Sequence, residues 1–433
     1  MTRTEMMQEI MAAVRADCKA IFDQVEAAPA GEKLKAVEFD VRRRALKRYG
    51  QILQKALLLA SGELKKRRSA PRCTCGQRMR MAYRQQKTVV TVVAPLTFAR
   101  RYYHCDGCGA RRVPFDEMVG LDRGGFSEGA RRLITRCGSA ESFRQAAGAL
   151  KELAEIRLSH QTVREVTESV GREVEAGQAK GELCGEEHPL DFSTEGRPSR
   201  AYVSVDGTMV NTQEGWREAK IGALYNQAKN QQHYVATLSE AGSFGMRMRR
   251  HAAGVGVLSA EQWVTIGDGA AWIWKLAAQQ FPGSVEVVDY YHLSEQVWTC
   301  ARGMYGEGSK RARPWVSRRL KEIREEGPRR LIARLRRAKG RRRRPEDQAA
   351  LEGLLGYVVN RRDRLRYPAF RRVGIDIGSG PVESACRHVI ARRLKGGGMR
   401  WRVANLEAML RLRALSASTG AWDAFWQRHR DAA

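Results

Sequence analysis

The spacing of hydrophobic positions changes along the chain, and the changes divide it. Over residues 1–68 apolar residues such as Ile10, Val14, Ile21, Val41 and Leu46 recur on a polar background. That spacing predicts a helical arm, ending in the basic run Lys65-Lys66-Arg67-Arg68. Within 69–125 the period falls to two, and Thr88 to Val93 and Phe98 to Tyr103 read as the strands of a hairpin. From 126 to 180 helical spacing returns in two stretches, Phe143 to Ala147 and Leu158 to Val166, joined by a polar connector. Residues 175–200, rich in Gly, Glu, Ser and Pro, read as a linker.

The second half alternates between strand and helix signals. Ala201 to Thr208, Ala219 to Tyr225 and Gln232 to Leu238 read as a meander of three strands. A helical stretch from about Met246, a strand ending at Asp268, a helix from Ala271 to Phe281 and a strand Val285 to Asp289 follow. Three strands, helix, strand, helix, strand is the order of a ribonuclease H-like fold, in which the first and fourth strands lie side by side and parallel. The fold class expected is therefore multidomain, mixing α+β and α/β parts. The mixed sheet occupies 200–295 and 371–415, and 416–433 is left as a tail.

Composition narrows the partner. Lys and Arg number 77 against 48 Asp and Glu, a net charge of +29, which calls for a polyanion and makes DNA the leading candidate. The charged N-terminus resembles no signal peptide, and the longest apolar run, Ala56 to Ala60, is too short to cross a bilayer. A cytoplasmic, nucleoid-associated protein with no membrane partner is expected. Nine cysteines is an odd number, and four of them fall in two close pairs, Cys73 with Cys75 and Cys105 with Cys108. Such pairs suit a structural Zn²⁺ in a ribbon, with Gly76, Gly107 and Gly109 permitting the tight turns, better than a disulfide framework. The arginines around them fit a DNA-facing module or a plain structural staple.

The two helical stretches at 126–180 resemble a helix-turn-helix. Ser159 is placed to cap the second helix, and Gln161, Arg164 and Glu168 would line its exposed side, with Gln161 and Arg164 as DNA contacts. An ordinary helical pair would show the same pattern.

Carboxylates carry the chemistry. Asp206 and Asp268 each end a strand among apolar neighbours, an expensive place for a charge without compensation. A third acid is offered by Gly378-Ser379-Gly380-Pro381-Val382-Glu383, where Pro381 suits a first helical turn and Cys386, Val389 and Ile390 continue an apolar face. Three converging acids repel one another, and two Mg²⁺ or Mn²⁺ ions would relieve them and serve phosphodiester chemistry. Asp289 could replace Asp268, and Asp376 could replace Glu383.

Taken together, Val205-Asp206-Gly207-Thr208, Trp216 to Lys220, Gly267 to Ile273, Asp289-Tyr290-Tyr291-His292 and Gly380 to Ser384 with Lys395 to Trp401 resemble the bacterial insertion-sequence DDE transposases of the Kra type, in the Mutator-like superfamily. The resemblance runs from the cysteine pairs nearly to the C-terminus. It implies a catalytic triad of Asp206, Asp268 and Glu383, and an acid-x-x-His element on Asp289 and His292. In that setting His292 would contact DNA at the cleavage site; a hydrogen-bonded core histidine is the alternative.

The 115-residue interval from Asp268 to Glu383 exceeds what one strand and one helix require, so a helical insertion at 296–370 is expected, as the resemblance also implies. Residues 309–345 alone hold seventeen Lys and Arg against three Glu, nearly half the surplus of the whole chain. Trp315, Leu320, Ile323, Leu331 and Leu335 interleave at helical spacing, so the segment should fold while gripping phosphates through Arg311, Arg313, Arg318 and Arg319 and a loop of Arg341, Arg342, Arg343 and Arg344. Lys395 and Arg400, flanking Gly396 to Gly398, form a second basic group.

The expectation is a transposase that binds the terminal repeats of its element, cuts them with metal, and joins the freed end to target DNA as a dimer or larger assembly. A non-catalytic DNA-binding protein and a ribonuclease H-like nuclease acting on RNA or hybrids are the rivals.

Overall fold

The computed structural model describes residues 2–62, 69–121, 124–193, 198–342 and 344–431. The basic run 65–68 and Arg343 lie outside the described residues. The chain is mixed α and β and divides into two units, residues 1–169 with 426–433 and residues 170–425.

The first unit begins with two long helices, α1 (Arg3–Ala27) and α2 (Lys33–Ala60), packed on each other. Thr2 and Glu5 close a capping box at the start of α1, so its first amides are satisfied from the sequence itself. Asp17, buried on α1, is held below the usual carboxylate range by the Arg48 guanidinium and, further, by Arg44, both on α2. A three-stranded antiparallel sheet follows: β1 (Arg80–Val90), β2 (Pro95–His104) and the short β3 (Arg111–Arg112). The first strand starts eight residues earlier than its apolar run suggests. Pairing with β2 through Arg80 and His104 carries it past its hydrophobic end, although most of its residues are exposed.

After α3 (Pro114–Val119) come α4 (Glu128–Ala140), α5 (Phe143–Ala154) and α6 (His160–Ala179). These three share a core of Ala130, Ile134, Ala146, Leu150, Ile156 and Val163. Ser159 Oγ accepts from the Thr162 amide, the cap the sequence suggests. Gln161 and Arg164 are exposed, but Glu168 is buried, because α6 packs on α4 closely enough for Gly138 to touch Thr167. Glu168 therefore does not belong to the exposed side.

The second unit holds a five-stranded sheet. Its strands are β4 (Arg200–Thr212), β5 (Gly215–Asn226), β6 (Gln232–Thr237), β7 (Gln262–Gly267) and β8 (Val285–Val288), laid out in the order β6-β5-β4-β7-β8. The meander β4 to β6 is antiparallel, whereas β4, β7 and β8 run parallel, so the first and fourth strands are adjacent as expected. The helices α7 (Ala241–Gly254) and α8 (Ala271–Gln280) make the connections that parallel pairing requires. The burial of β4 and β5 is nearly continuous where they cross the sheet, the pattern of strands covered on both faces.

The segment read as a linker is not one throughout. The helix α6 occupies its first residues to Ala179, and Cys184 and Leu190 are buried, with the Asn226 side chain donating to the Asp191 carbonyl. The insertion consists of α9 (Tyr290–Tyr305), α10 (Ala312–Glu326), α11 (Pro328–Arg341), α12 (Pro345–Asn360) and α13 (Tyr367–Arg372). The chain returns through α14 (Gly380–Ala385), a π-helical turn over Cys386–Ala391, α15 (Arg392–Leu394), α16 (Val403–Ala417) and α17 (Ala421–Asp431). The expected C-terminal tail is thus helical, and Trp422, Phe425 and Trp426 are buried.

Candidate functional site

In the first unit, two tight turns bring four thiols together. The register of β1 with β2 closes one end of the hairpin, where the Cys73–Gly76 and Cys105–Gly109 turns meet. Gly76 (φ 88°) and Gly109 (φ 73°) lie in the left-handed region the turns need, while at Gly107 any Cβ would collide with Gln77. Cys73 Sγ stands 3.4 Å from Cys108 Sγ, and Cys75 Sγ 3.5 Å from Cys105 Sγ. Those are close to the edges, about 3.8 Å, of a tetrahedron of sulfurs around zinc. The Cys73 thiol is pulled down to about 6 by the Cys75 backbone amide and then by Cys108. The four sulfurs form a set that could hold a metal ion.

In the second unit, Asp268 and Asp289 directly follow the parallel strands β7 and β8, whereas Asp206 does not end a strand as the sequence suggests: it lies inside β4, which pairing with β5 carries on to Thr212. Asp206 and Asp268 each lie two residues beyond the last positions at which β4 and β7 pair with each other, Ser204 and Ile266. Asp289 follows β8 directly, and its amide donates to the Gly267 carbonyl. Glu383 comes from α14, which packs on β4 and β5. Burial raises the pKa of its carboxyl, followed by Asp289 and Asp206, while His292 opposes them. Asp289 and Asp206 thus both oppose ionisation of the glutamate.

Asp289, His292 and Glu383 form a second set that could hold a metal ion, their ligand atoms lying within 4.8 Å of one another. Asp268 is not in it. Its Oδ1 turns back to accept from the Ala270 amide at 2.7 Å. Asp376 is also elsewhere, in an ion pair with Lys229 at 3.0 Å. His292 is half-buried, with Nδ1 3.4 Å from Glu295, and is no core histidine.

Asp289 is fully buried and almost saturated with hydrogen bonds. Its Oδ1 caps α9 by accepting from the Tyr291 and His292 amides, and its Oδ2 accepts from the amide and hydroxyl of Ser379. It therefore ties the start of the insertion to the loop that launches α14, and so fixes where Glu383 emerges. Asp206 accepts from the Gly207 amide and from the Cys386 thiol at 3.1 Å. Burial and then Asp206 push that thiol far up, so it stays protonated and donates. Cys386 opens the π-helical turn, a local widening often found at functional sites.

The insertion also reaches the acids. Tyr357 Oη donates to the Asp268 carbonyl at 3.1 Å, and Arg361 donates to the Gly269 carbonyl at 3.1 and 2.8 Å while stacking on Tyr357. Burial pushes the Tyr357 hydroxyl up to about 12, keeping it a donor. Gly269 (φ 100°) is required here, since a Cβ would sit 2.8 Å from Arg361 Nε. Nothing in the local pattern marks Tyr357 or Arg361, which lie about ninety residues from the loop they hold. Ser379 is equally invisible, because its role depends on where Asp289 arrives.

The basic candidates separate by burial. Arg311, Arg313, Arg318, Arg341, Arg344 and Arg400 are exposed, and so is Lys395, which donates to Thr208 Oγ1 beside Asp206. Arg319 is buried against Glu322 and the Trp315 ring, and Arg342 is tied to Asp347 and Tyr305. Those two are held by internal contacts, because α10 and the α11–α12 turn need counter-charges where they pack. The sequence reading also passed over a cavity of about 700 Å³ on the insertion that carries Arg329, Arg336, Arg362, Arg366 and Arg372.

The sequence from 31 to 430 matches a family described as uncharacterised protein family UPF0236. The chain belongs to that family. No curated protein matches it. The matched span includes both the cysteine set and the acids. Among the described residues, no helix is long and apolar enough to cross a membrane.

Proposed function

We infer that this chain is a metal-dependent DNA transposase with a ribonuclease H-like core, resembling the Kra-type insertion-sequence enzymes. The observation that carries the reading is that Asp206, Asp268 and Asp289 lie just past the parallel pairing of β4, β7 and β8, with Glu383 near Asp289 and Asp206, in a chain of net charge +29. The residues present fit a hard divalent cation. Their oxygens are the ligands Mg²⁺ prefers, and the Glu383 carboxyl, raised by burial first and then by Asp289 and Asp206, is one whose charged form a cation would favour. Asp206 and Glu383 would hold Mg²⁺ or Mn²⁺, with Asp268 joining if its side chain leaves the Ala270 amide. Bound there, two such ions would activate a water or a 3′-hydroxyl and stabilise the leaving oxygen.

The chain's own residues do the rest. Asp289 and Ser379 fix α14, and Tyr357 with Arg361 fixes the loop of Asp268. His292 and Lys395 face the approach of a phosphate, and the exposed arginines of the insertion bind the flanking backbone. The four cysteines hold structural Zn²⁺, and α5–α6 present Gln161 and Arg164 to the terminal repeat. Joining two ends implies a dimer or larger assembly, working among the DNA of the cell.

The test is nicking and strand transfer on DNA carrying the ends of the element, with RNA and hybrid duplexes beside it. Mg²⁺-dependent cleavage of DNA that is lost in Asp206→Ala is expected. Cleavage of RNA strands alone would favour a nuclease without transfer. Cleavage undiminished in Asp206→Ala would overturn the assignment.

A further inference from the structure

Next to the acids, a cavity of about 420 Å³ opens between the start of α9, the α10 helix, α13 and the loop before α14. Its size is that of a small ligand site. Tyr291 lies at its wall with 60% of its surface exposed. The ring is nonetheless held in place, edge-on to Tyr290 at 6.0 Å between centroids and close against Gly378. Tyr290 is in turn braced by Tyr367. Arg324 and Arg371 line the same cavity, with Lys229 bridged to Asp376 at its edge, so cations outnumber acids three to one. Lys229 holds a left-handed backbone (φ 56°), which for a side-chain-bearing residue is strained. The Tyr291 amide donates to Asp289 Oδ1, which couples this wall directly to the acid cluster.

A rigid exposed aromatic face beside two guanidinium groups has the chemistry to receive a planar base and its phosphate together. We propose that this cavity is a nucleotide subsite that takes an unpaired nucleotide of the DNA strand end adjoining the acids. The base stacks on Tyr291, and the phosphate lies against Arg324 and Arg371. The proposal rests on the reading of the acids as a DNA-cleaving site and names the part of the substrate held beside it. Because stacking tolerates any base, the preference is for single-stranded character and not for sequence.

The experiment is equilibrium binding of the full chain, with EDTA present, to two labelled duplexes of one sequence. One is blunt, and the other carries a short 3′ single-stranded tail with 2-aminopurine in it. The wild-type chain should prefer the tailed duplex by about tenfold and quench the 2-aminopurine as it stacks. Tyr291→Ala should remove both the preference and the quenching, and Tyr291→Phe should keep both. Arg324→Ala with Arg371→Ala should lower affinity for the tailed duplex more than for the blunt one. Equal binding of the two duplexes by the wild-type chain, or a preference with quenching that survives Tyr291→Ala, overturns the subsite. A parallel arm with Mg²⁺ separates the two readings. Cleavage without any tail preference sinks the subsite alone, and tail preference without cleavage sinks the transposase reading and leaves the subsite standing.

Discussion

The two ligand sets differ in how far apart their members lie along the chain. The four sulfurs come from two short turns at one end of a hairpin, and each turn brings its pair together by local backbone geometry. The acids come from the middle of β4, from the residues just after β7 and β8 and from a helix after the insertion, and no two of them share a turn. A cluster built from local turns needs only the hairpin to close. A cluster built from distant elements depends on every connection between them, and here Asp289 and Arg361 are two of those connections. Changes at the first set should therefore damage folding, and changes at the second should damage chemistry while the fold survives.

The largest effect expected is on the cysteines. Cys105→Ser, or stripping with a chelator, should unfold the hairpin, since structural zinc contributes on the order of 10 kcal/mol in small ribbons and fingers. Limited proteolysis across 69–125 and a metal count of one zinc per chain would check it. A hairpin that stays protected without metal would place its stability in Phe98, Phe115 and Leu96 instead.

At the acids, Glu383→Gln should lower metal-dependent nicking by about 10²-fold or more while circular dichroism stays unchanged. Loss of the folded signal would make this set as structural as the cysteines and erase the contrast. Arg361→Ala should cost about 10- to 100-fold and raise the Mg²⁺ concentration needed, with Arg361→Lys recovering part of both. An unchanged metal requirement would mean that Arg361 only supports the fold.

Two pH effects sharpen the picture further. His233 and His251 are fully buried with ring nitrogens 2.9 Å apart, and burial lowers both, His233 to about 4. Their folded pKa values lie below the unfolded value, so the stability they contribute is complete above about pH 6.5 and is lost as pH falls toward about 4. For His233 that is about 3 kcal/mol, readable by denaturant titration at several pH values and flattened in a double His→Leu variant. Glu383 works in the opposite direction. Its raised folded pKa makes the protonated form the more stable, so the chain gains nothing from ionised Glu383 as pH rises. Glu383→Gln should raise the metal-free Tm near neutral pH by about 2 °C, the exposure of the group keeping the effect small, and the gain should vanish below the ordinary carboxylate range.

Several features were legible in the amino acids because they depend on neighbours a few positions away. The cysteine turns, the Ser159 cap and the strand-helix alternation of the second half all follow from local spacing, and the insertion from the long interval between Asp268 and Glu383. Other features were not. The exposed side of α6 stops short of Glu168, because α4 packs there through Gly138. Arg319 and Arg342 look like every other arginine of the insertion until Glu322 and Asp347 are seen beside them. The apparent tail folds as α17, whose Trp422, Phe425 and Trp426 are spaced for one helical face and are buried, a period the sequence reading passed over.

The sequence alone places Asp268 and Asp289 where a strand ends, since that requires only an apolar run followed by a turn, but Asp206 lies inside β4 opposite Ile221, because pairing with β5 carries that strand on to Thr212. Only the tertiary structure decided which carboxylate oxygens face one another. There Asp268 bends back to its own turn, Asp289 serves two amides and a serine, and Glu383 is left pressed by Asp289 and Asp206. The Asp289 side chain is held by Ser379, about ninety residues away in the loop before α14, and the backbone of Asp268 by Tyr357, as far away on α12.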